Sequence, residues 1–175
     1  GLSATNDSDH GFVARVAPDG TCRWSVELKS PGLDEVVDLA WQGSDVWMTG
    51  WVAAAGSLVA GGDTTALPHE GGDELLVARL TANGDLAAMS LLAAAGDQRP
   101  AELAAQGDGV VVVGSYFGPW TVAGENLDPS VADRSAPFVI ALDAAAEVRW
   151  ARGYPVTSSL SGHHADGIAV AADGE

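Results

Sequence analysis

The chain has 175 residues, of which 47% are hydrophobic and only 18% are charged, and this length allows one ordinary domain with a sizeable core. Its 24 Asp and Glu residues against 8 Lys and Arg residues give a formal net charge of −16. No basic stripe is therefore available for nucleic acid or for an anionic membrane surface. No run of 18 apolar residues occurs, so no membrane insertion by this chain is predicted. The single cysteine, Cys22, excludes an internal disulfide and a Cys-based metal cluster.

The first hairpin follows a polar start. Residues 1–11 are small and polar, and they predict a lead-in loop. Phe12–Val16 is a short apolar strand, and Cys22–Leu28 alternates apolar with polar residues, as a half-buried strand does. Because Pro18-Asp19-Gly20 supplies turn chemistry between them, the two segments predict a β-hairpin.

The second hairpin is predicted over Glu35–Trp41 and Val46–Val52, around the turn Gly43-Ser44-Asp45. A Gly-rich loop is predicted to follow, from Ala53 to Glu74, with a small apolar island at Ser57–Ala60.

The same cycle then recurs. Val13-Ala14-Arg15-Val16 returns 64 residues later as Val77-Ala78-Arg79-Leu80, and 62 residues after that as Val139-Ile140-Ala141-Leu142. Register with these repeats overrides the helix propensity of the Ala- and Leu-rich stretch Asp85–Ala95. The remaining predicted strands are Leu75–Leu80, Leu86–Leu92, Ala101–Gln106, Val110–Tyr116, Phe138–Leu142, Val148–Gly153 and Ile168–Ala171.

Each copy therefore supplies two hairpins, which cannot bury both faces of a four-stranded sheet alone. Stacking copies around an axis buries those faces, as in a β-propeller. The predicted fold class is all-β, with tandem four-stranded antiparallel blades in a partial or open propeller. Residues 12–175 would form one repeat region made of part-blade 12–28, blade 35–92, blade 101–153 and part-blade 165–175.

At these residues the chain resembles the bacterial β-propeller repeat called SBBP. The resemblance is carried by Phe12–Gly20 with Arg23-Trp24, by Val59–Gly62 and by Ile168–Gly174. It departs from the pattern at Ala88, where the other copies have Trp. The resemblance implies a secreted or surface protein, located extracellularly, in the periplasm or at the cell surface. Since two blades and two part-blades do not close a ring, we expect the rest of a longer propeller as a partner.

Two groups of residues are candidate metal ligands. Asp7 and Asp9 lie in an oxygen-rich run, although a calcium loop needs further ligands and a terminal Glu, and a solvated lead-in is the alternative. His163 and His164 with Asp166 form the other candidate, for zinc or acid–base chemistry, against a polar loop. No cofactor is predicted, with Ca²⁺ as the alternative.

The tryptophans are the candidate binding residues. Trp at repeated strand positions is typical of packing between blades, whereas aromatics on exposed faces stack on sugars or anchor protein interfaces. Trp51, at a strand end, and Trp120, in a long loop, are therefore the predicted binding residues.

These observations predict a non-catalytic binding or scaffold module on an exported bacterial protein, with a protein or a glycan as its partner. No catalytic constellation is found, and fold alone does not assign function. One alternative is part of a propeller hydrolase or lyase whose axial site lies mostly outside this chain. A second alternative, based on acidity alone, is a calcium-stabilised extracellular repeat.

Overall fold

A computed structural model describes residues 10–129, 134–156 and 165–170. These residues form strands and no helix, and so contain no helix that could cross a membrane. The strands are β1 (Phe12–Val16), β2 (Cys22–Lys29), β3 (Asp34–Gln42), β4 (Asp45–Val52), β5 (Gly56–Ala60), β6 (Asp63–Leu67), β7 (Glu74–Leu80), β8 (Leu86–Leu92), β9 (Gln98–Gln106), β10 (Gly109–Phe117), β11 (Trp120–Val122), β12 (Glu125–Leu127), β13 (Ser135–Leu142) and β14 (Val148–Gly153).

Twelve of these strands form three four-stranded antiparallel sheets. The first sheet has the order β1-β2-β5-β6, the second β3-β4-β7-β8 and the third β9-β10-β13-β14. The predicted all-β class, with tandem four-stranded sheets in a partial or open propeller-like arrangement, is confirmed. The inner hairpins β3–β4 and β9–β10 come first in the second and third sheets, and the outer hairpins β7–β8 and β13–β14 complete them.

The segment between the two hairpins of the second sheet differs from the sequence prediction. Instead of a loop, it forms β5 and β6, and β5 pairs with β2 of the first sheet, with Leu28 opposite Leu58. Leu58, Ala60 and Leu67 are buried there. The turn between β5 and β6 is formed by Gly61-Gly62, with φ of 60° and 93°, which glycine adopts without a Cβ penalty.

The corresponding segment of the third sheet behaves differently. It forms the separate hairpin β11–β12, with Trp120 opposite Leu127. Both side chains are buried in the core of the third sheet.

Two apolar cores lie between successive sheets. The core between the first and second sheets joins Val13, Val26 and Leu28 to Val46, Met48, Leu76 and Leu80. The core between the second and third sheets joins Trp47, Leu75 and Val77 to Val110, Phe138, Ile140 and Leu142. Burying each such side chain fully stabilises the fold by about 1.5–3 kcal/mol.

A hydrogen bond from a backbone N–H to a side-chain carboxylate recurs between successive repeats. The N–H of Leu103 in β9 donates to Oδ2 of Asp38 in β3 at 2.9 Å. The N–H of Ile168 donates to Oε2 of Glu102 in β9 at 3.1 Å. This bond places Ile168 beside β9, but residues 165–170 form no strand, so the described part of the predicted strand Ile168–Ala171 is not a strand in the structure.

Candidate interaction surface

The strand registers define which residues of the three sheets are equivalent. The strands β1, β7 and β13 correspond to one another, and each pairs with the strand that follows its turn, β2, β8 or β14. In these pairs Arg15 lies opposite Trp24, Arg79 opposite Ala88, and Ala141 opposite Trp150. Arg15, Arg79 and Ala141 thus occupy the same site in successive sheets. The same registers make Arg23, Ala87 and Arg149 equivalent.

In the second sheet, Arg79 joins two strands and two sheets. Its Nε and Nη2 donate to Oδ2 of Asp45 at 2.9 and 2.7 Å, and Asp45 is the first residue of the adjacent β4. Its Nη1 donates to the carbonyl of Ala144, in the β13–β14 turn, at 3.0 Å. Since a charged hydrogen bond of this kind is stronger than a neutral one, Arg79 fixes the inner hairpin to the outer one.

In the third sheet, a different arginine contacts the inner hairpin. Nη2 of Arg149 donates to Oδ1 of Asp108 at 2.5 Å, and Asp108 lies in the turn between β9 and β10. In both sheets, an arginine of the outer hairpin therefore pairs with an acid near the turn of the inner hairpin.

The first sheet has both arginines but no inner hairpin among the residues that the structure describes. Within those residues β1 pairs with β2 alone, so its other edge is open. Arg15 keeps the bond to the next sheet, through Nη1 to the carbonyl of Ala82 at 2.8 Å. Arg15 and Arg23 have no carboxylate within ion-pair distance there, whereas five other cations do: Lys29, Arg79, Arg99, Arg149 and Arg152.

An open pocket of about 640 Å³ lies beside these two arginines. Its walls include Arg15, Arg23, Trp24 and Asn83. Nε1 of Trp24 donates to the carbonyl of Ala82 at 2.9 Å, so the turn of the second sheet closes one side. In a chain of net charge −16, these two arginines make the pocket a local region of positive charge.

An exposed apolar face lies next to the open edge of β1. Leu39 and Trp41 of β3 are 47% and 60% exposed. They stand opposite Met48 and Val46, which pack against the first sheet, so their face of β3 points toward the first sheet as well. The guanidinium of Arg15 lies 5.9 Å from the ring centroid of Trp41.

The third sheet shows what covers this position when a preceding inner hairpin is present. Leu103 is the equivalent of Leu39, and it is only 4% exposed, in the core that includes Trp47 of the second sheet. We use the term slot for the region bounded by the open edge of β1, Leu39, Trp41, Arg15 and Arg23.

The two predicted binding tryptophans lie elsewhere, and both are buried. Trp51 is 8% exposed, donates from Nε1 to Oε2 of Glu35 at 3.1 Å, and has the guanidinium of Arg99 at 4.7 Å from its ring centroid. Trp120 is 2% exposed and packs near Tyr116 and Phe138, with ring centroids 6.0 and 5.4 Å away. Both rings are largely covered, although Trp120 also lines an open pocket with Leu92 and Val148, and their role in binding stays a prediction. We place the candidate site at the slot, where the ring of Trp41 is exposed.

Of the five candidate metal ligands, the structure describes only Asp166. Asp7, Asp9, His163 and His164 lie outside the described residues, and Asp166 is exposed. Among residues 10–129, 134–156 and 165–170, no three His, Cys, Asp or Glu side chains are placed to hold a metal ion.

A cluster of charged residues at one end of the sheets was not predicted from the sequence. The carboxylate of Glu74 is buried, and its Oε1 lies 3.2 Å from Nδ1 of His69. The same oxygen accepts a hydrogen bond from the backbone N–H of Glu70. Asp73 pairs with Arg99 of the next sheet. These contacts fix the chain entering β7 to the chain entering β9, so we assign them a structural role.

Asp34 and its neighbours form a second buried group at this end. Oδ1 of Asp34 accepts from Oγ of Ser30 at 2.7 Å, and Oδ2 lies 3.8 Å from Nδ1 of His10. Burial raises the pKa of the Asp34 carboxyl above its usual 3.8, against the opposing effects of the Ser30 hydrogen bond and of His10.

Comparison with known proteins does not identify a family for this chain. No family model matches the chain, and no curated protein is similar to it.

Proposed function

We propose that the chain is a non-catalytic interaction and scaffold module, and that it binds a polypeptide at the slot. The observation that carries the proposal is the slot itself, where an edge of β1 that pairs with no strand of the described residues lies beside two large exposed apolar side chains, Leu39 and Trp41. Exposed apolar patches of this kind mark interaction sites on soluble proteins.

The open edge of β1 favours a polypeptide over other ligands. The backbone N–H and C=O groups on this edge, which no described strand pairs, would hydrogen-bond an added strand, while side-chain contacts at alternate positions would give specificity. A sugar would use the Trp41 ring but would leave those backbone groups to water. The resemblance to the SBBP repeat supports placing this module on an exported bacterial protein and within a longer propeller.

The proposal is tested by selecting peptides on the immobilised chain from a phage-displayed random library. We expect binders with a Kd of about 10 µM. Trp41→Lys should weaken them about tenfold or more, because it removes an aromatic anchor and adds a charge beside Arg15. Trp150→Lys is the matched control, since Trp150 is also partly exposed, at 39%, but lies in β14 of the third sheet.

Two outcomes would overturn the proposal. One is a selection whose peptides bind the Trp41→Lys variant as well as the original chain. The other is the absence of any enriched peptide while oligosaccharides quench the tryptophan fluorescence in a Trp41-dependent way, which would assign the surface to a glycan.

A further inference from the structure

The geometry points to one kind of partner for the slot: a β-hairpin of the repeat's own inner type, with a carboxylate in its turn and another at the start of its returning strand. We infer that these carboxylates pair with Arg23 and Arg15. This inference rests on the proposed function and names the partner that the slot selects.

The backbone geometry of the neighbouring sheets is the first support. In the second sheet, β4 pairs with β7 over seven residue pairs, from Val46 opposite Leu80 to Val52 opposite Glu74. In the third sheet, β10 pairs with β13 in the same way, with Val110 opposite Leu142. Since β1 is the equivalent of β7 and β13, its open edge has the register to receive a strand like β4 or β10.

The second support is the way that acids and arginines change together between sheets. The second sheet has Arg79 facing Asp45, and the third sheet has Ala141 and Gly109 at those two positions. The third sheet has Arg149 facing Asp108, and the equivalent positions of the second sheet hold Ala87 and Ser44.

In the two complete sheets, an acid near the turn of the inner hairpin is thus present where its arginine is present and absent where its arginine is absent. The first sheet has arginine at both positions, Arg15 and Arg23. Its matching hairpin would therefore have an acid at both. In the numbering of the second sheet, these acids stand at positions 44 and 45.

The third support is the apolar face. The exposed Leu39 becomes equivalent to the buried Leu103 once an inner hairpin lies over it, as β3 and β4 lie over β9. A hairpin in the slot would thus cover the exposed side chain of Leu39 and satisfy the open edge of β1 and the two arginines at once.

The test uses the full chain and a synthetic peptide. The probe is a fluorescein-labelled peptide with the sequence of residues 34–52 and the change Ser44→Asp, so that it has acids at both positions. The matched control peptide keeps Ser44 and has Asp45→Asn. Binding is measured by fluorescence anisotropy at low ionic strength, where ion pairs are least screened.

We expect the acidic peptide to bind about tenfold or more tightly than the control peptide. With the Arg15→Gln, Arg23→Gln double variant this difference should disappear, and the residual apolar binding should be the same for both peptides. Hydrogen exchange should show slower exchange of the β1 amides in the complex, and a far-UV spectrum checks that the double variant is folded.

The outcomes separate this inference from the function on which it rests. Equal binding of the two peptides to the original chain would overturn the acid–arginine pairing. A peptide library that yields Trp41-dependent binders while neither hairpin peptide binds would overturn the hairpin alone and leave the interaction module standing. Failure of both the library and the hairpin would overturn both.

Discussion

The indole of Trp24 packs directly on Gly84 in the turn of the adjacent sheet. A Cβ at Gly84 would lie 2.7 Å from the ring, and the backbone there has a φ of 84°. At the next interface the equivalent residues are Ala88 and Ala146, the latter with a φ of 60°. A methyl group in the turn is therefore accommodated where the indole of the preceding sheet is replaced by a methyl group. This exchange explains why Ala88 departs from the Trp of the other copies.

Gly84→Ala should destabilise the fold by about 2–3 kcal/mol, because it adds a clash with the indole to the cost of a left-handed alanine. In a Trp24→Ala background the same substitution should cost only about 1 kcal/mol. Urea denaturation of the four chains measures both values. An equal cost in the two backgrounds would contradict the packing argument.

Ala146→Gly should stabilise the fold by about 0.5–1 kcal/mol, because glycine adopts the positive φ at this turn without strain. Ala145→Gly is the control, since Ala145 is exposed and does not have a positive φ. That control should leave the stability unchanged or lower it slightly. The prediction fails if Ala146→Gly lowers the urea midpoint.

Gln42→Ala should destabilise the fold by about 2 kcal/mol, because Gln42 connects two sheets. Its Nε2 donates to the carbonyls of Gly107 and Gly109 at 2.9 Å, and its Oε1 accepts from Nε1 of the buried Trp47 at 2.9 Å. Gln106 is the equivalent residue of the third sheet and makes no such contact among the described residues. Gln106→Ala should therefore change the unfolding free energy by less than about 0.5 kcal/mol.

Asp34→Asn should alter the dependence of stability on pH in a definite direction. The pKa of Asp34 is raised in the folded protein by burial. Below the unfolded pKa of 3.8 its contribution to stability is fully present, and it is lost as pH rises through the folded pKa. The variant should therefore gain stability relative to the original chain as pH rises from below 3.8 through the folded pKa.

Asp19 provides the opposite sign for comparison. The backbone N–H of Thr21, 3.0 Å from Oδ1 of Asp19, lowers the pKa of that carboxyl. Its contribution is present above the unfolded pKa of 3.8 and is lost as pH falls through the folded pKa. Asp19→Asn should therefore lose stability at neutral pH, with a difference that shrinks on acidification. Urea midpoints across the same pH series measure both variants, and matching trends would refute the assignment.

The strands of the second and third sheets could be predicted from the sequence because the same apolar sequence motif recurs at a nearly constant spacing. The pairing of β5 with β2 could not. Ser57–Ala60 is a short apolar run with no mark of its partner, which lies in the preceding repeat. The equivalent segment at Trp120 contributes to the core of its own sheet instead, so even the repeat does not determine this pairing.

The slot was partly visible in the sequence. Arg15 and Arg79 occupy the same position of one repeated motif, and Arg23 and Arg149 occupy the same position of another. Their acidic partners lie on a different hairpin, so the matching of Asp45 to Arg79 and of Asp108 to Arg149 became evident only when the strand registers were known. Trp51 and Trp120 were predicted as binding residues from their positions at a strand end and in a loop, and these positions do not reveal that neighbouring aromatic and arginine side chains cover them.

The exchange of β5 and β6 into the first sheet has a consequence for how such a chain can grow. The stretch that builds the second sheet, Asp34–Leu92, also contains the two outermost strands of the first. Deleting that stretch in one genetic event would remove the second sheet and would also leave β2 of the first sheet without its partner β5. The first two sheets are thus interlocked through the pairing of β5 with β2, whereas β11 and β12 pair only with each other, so this constraint applies to the first two sheets.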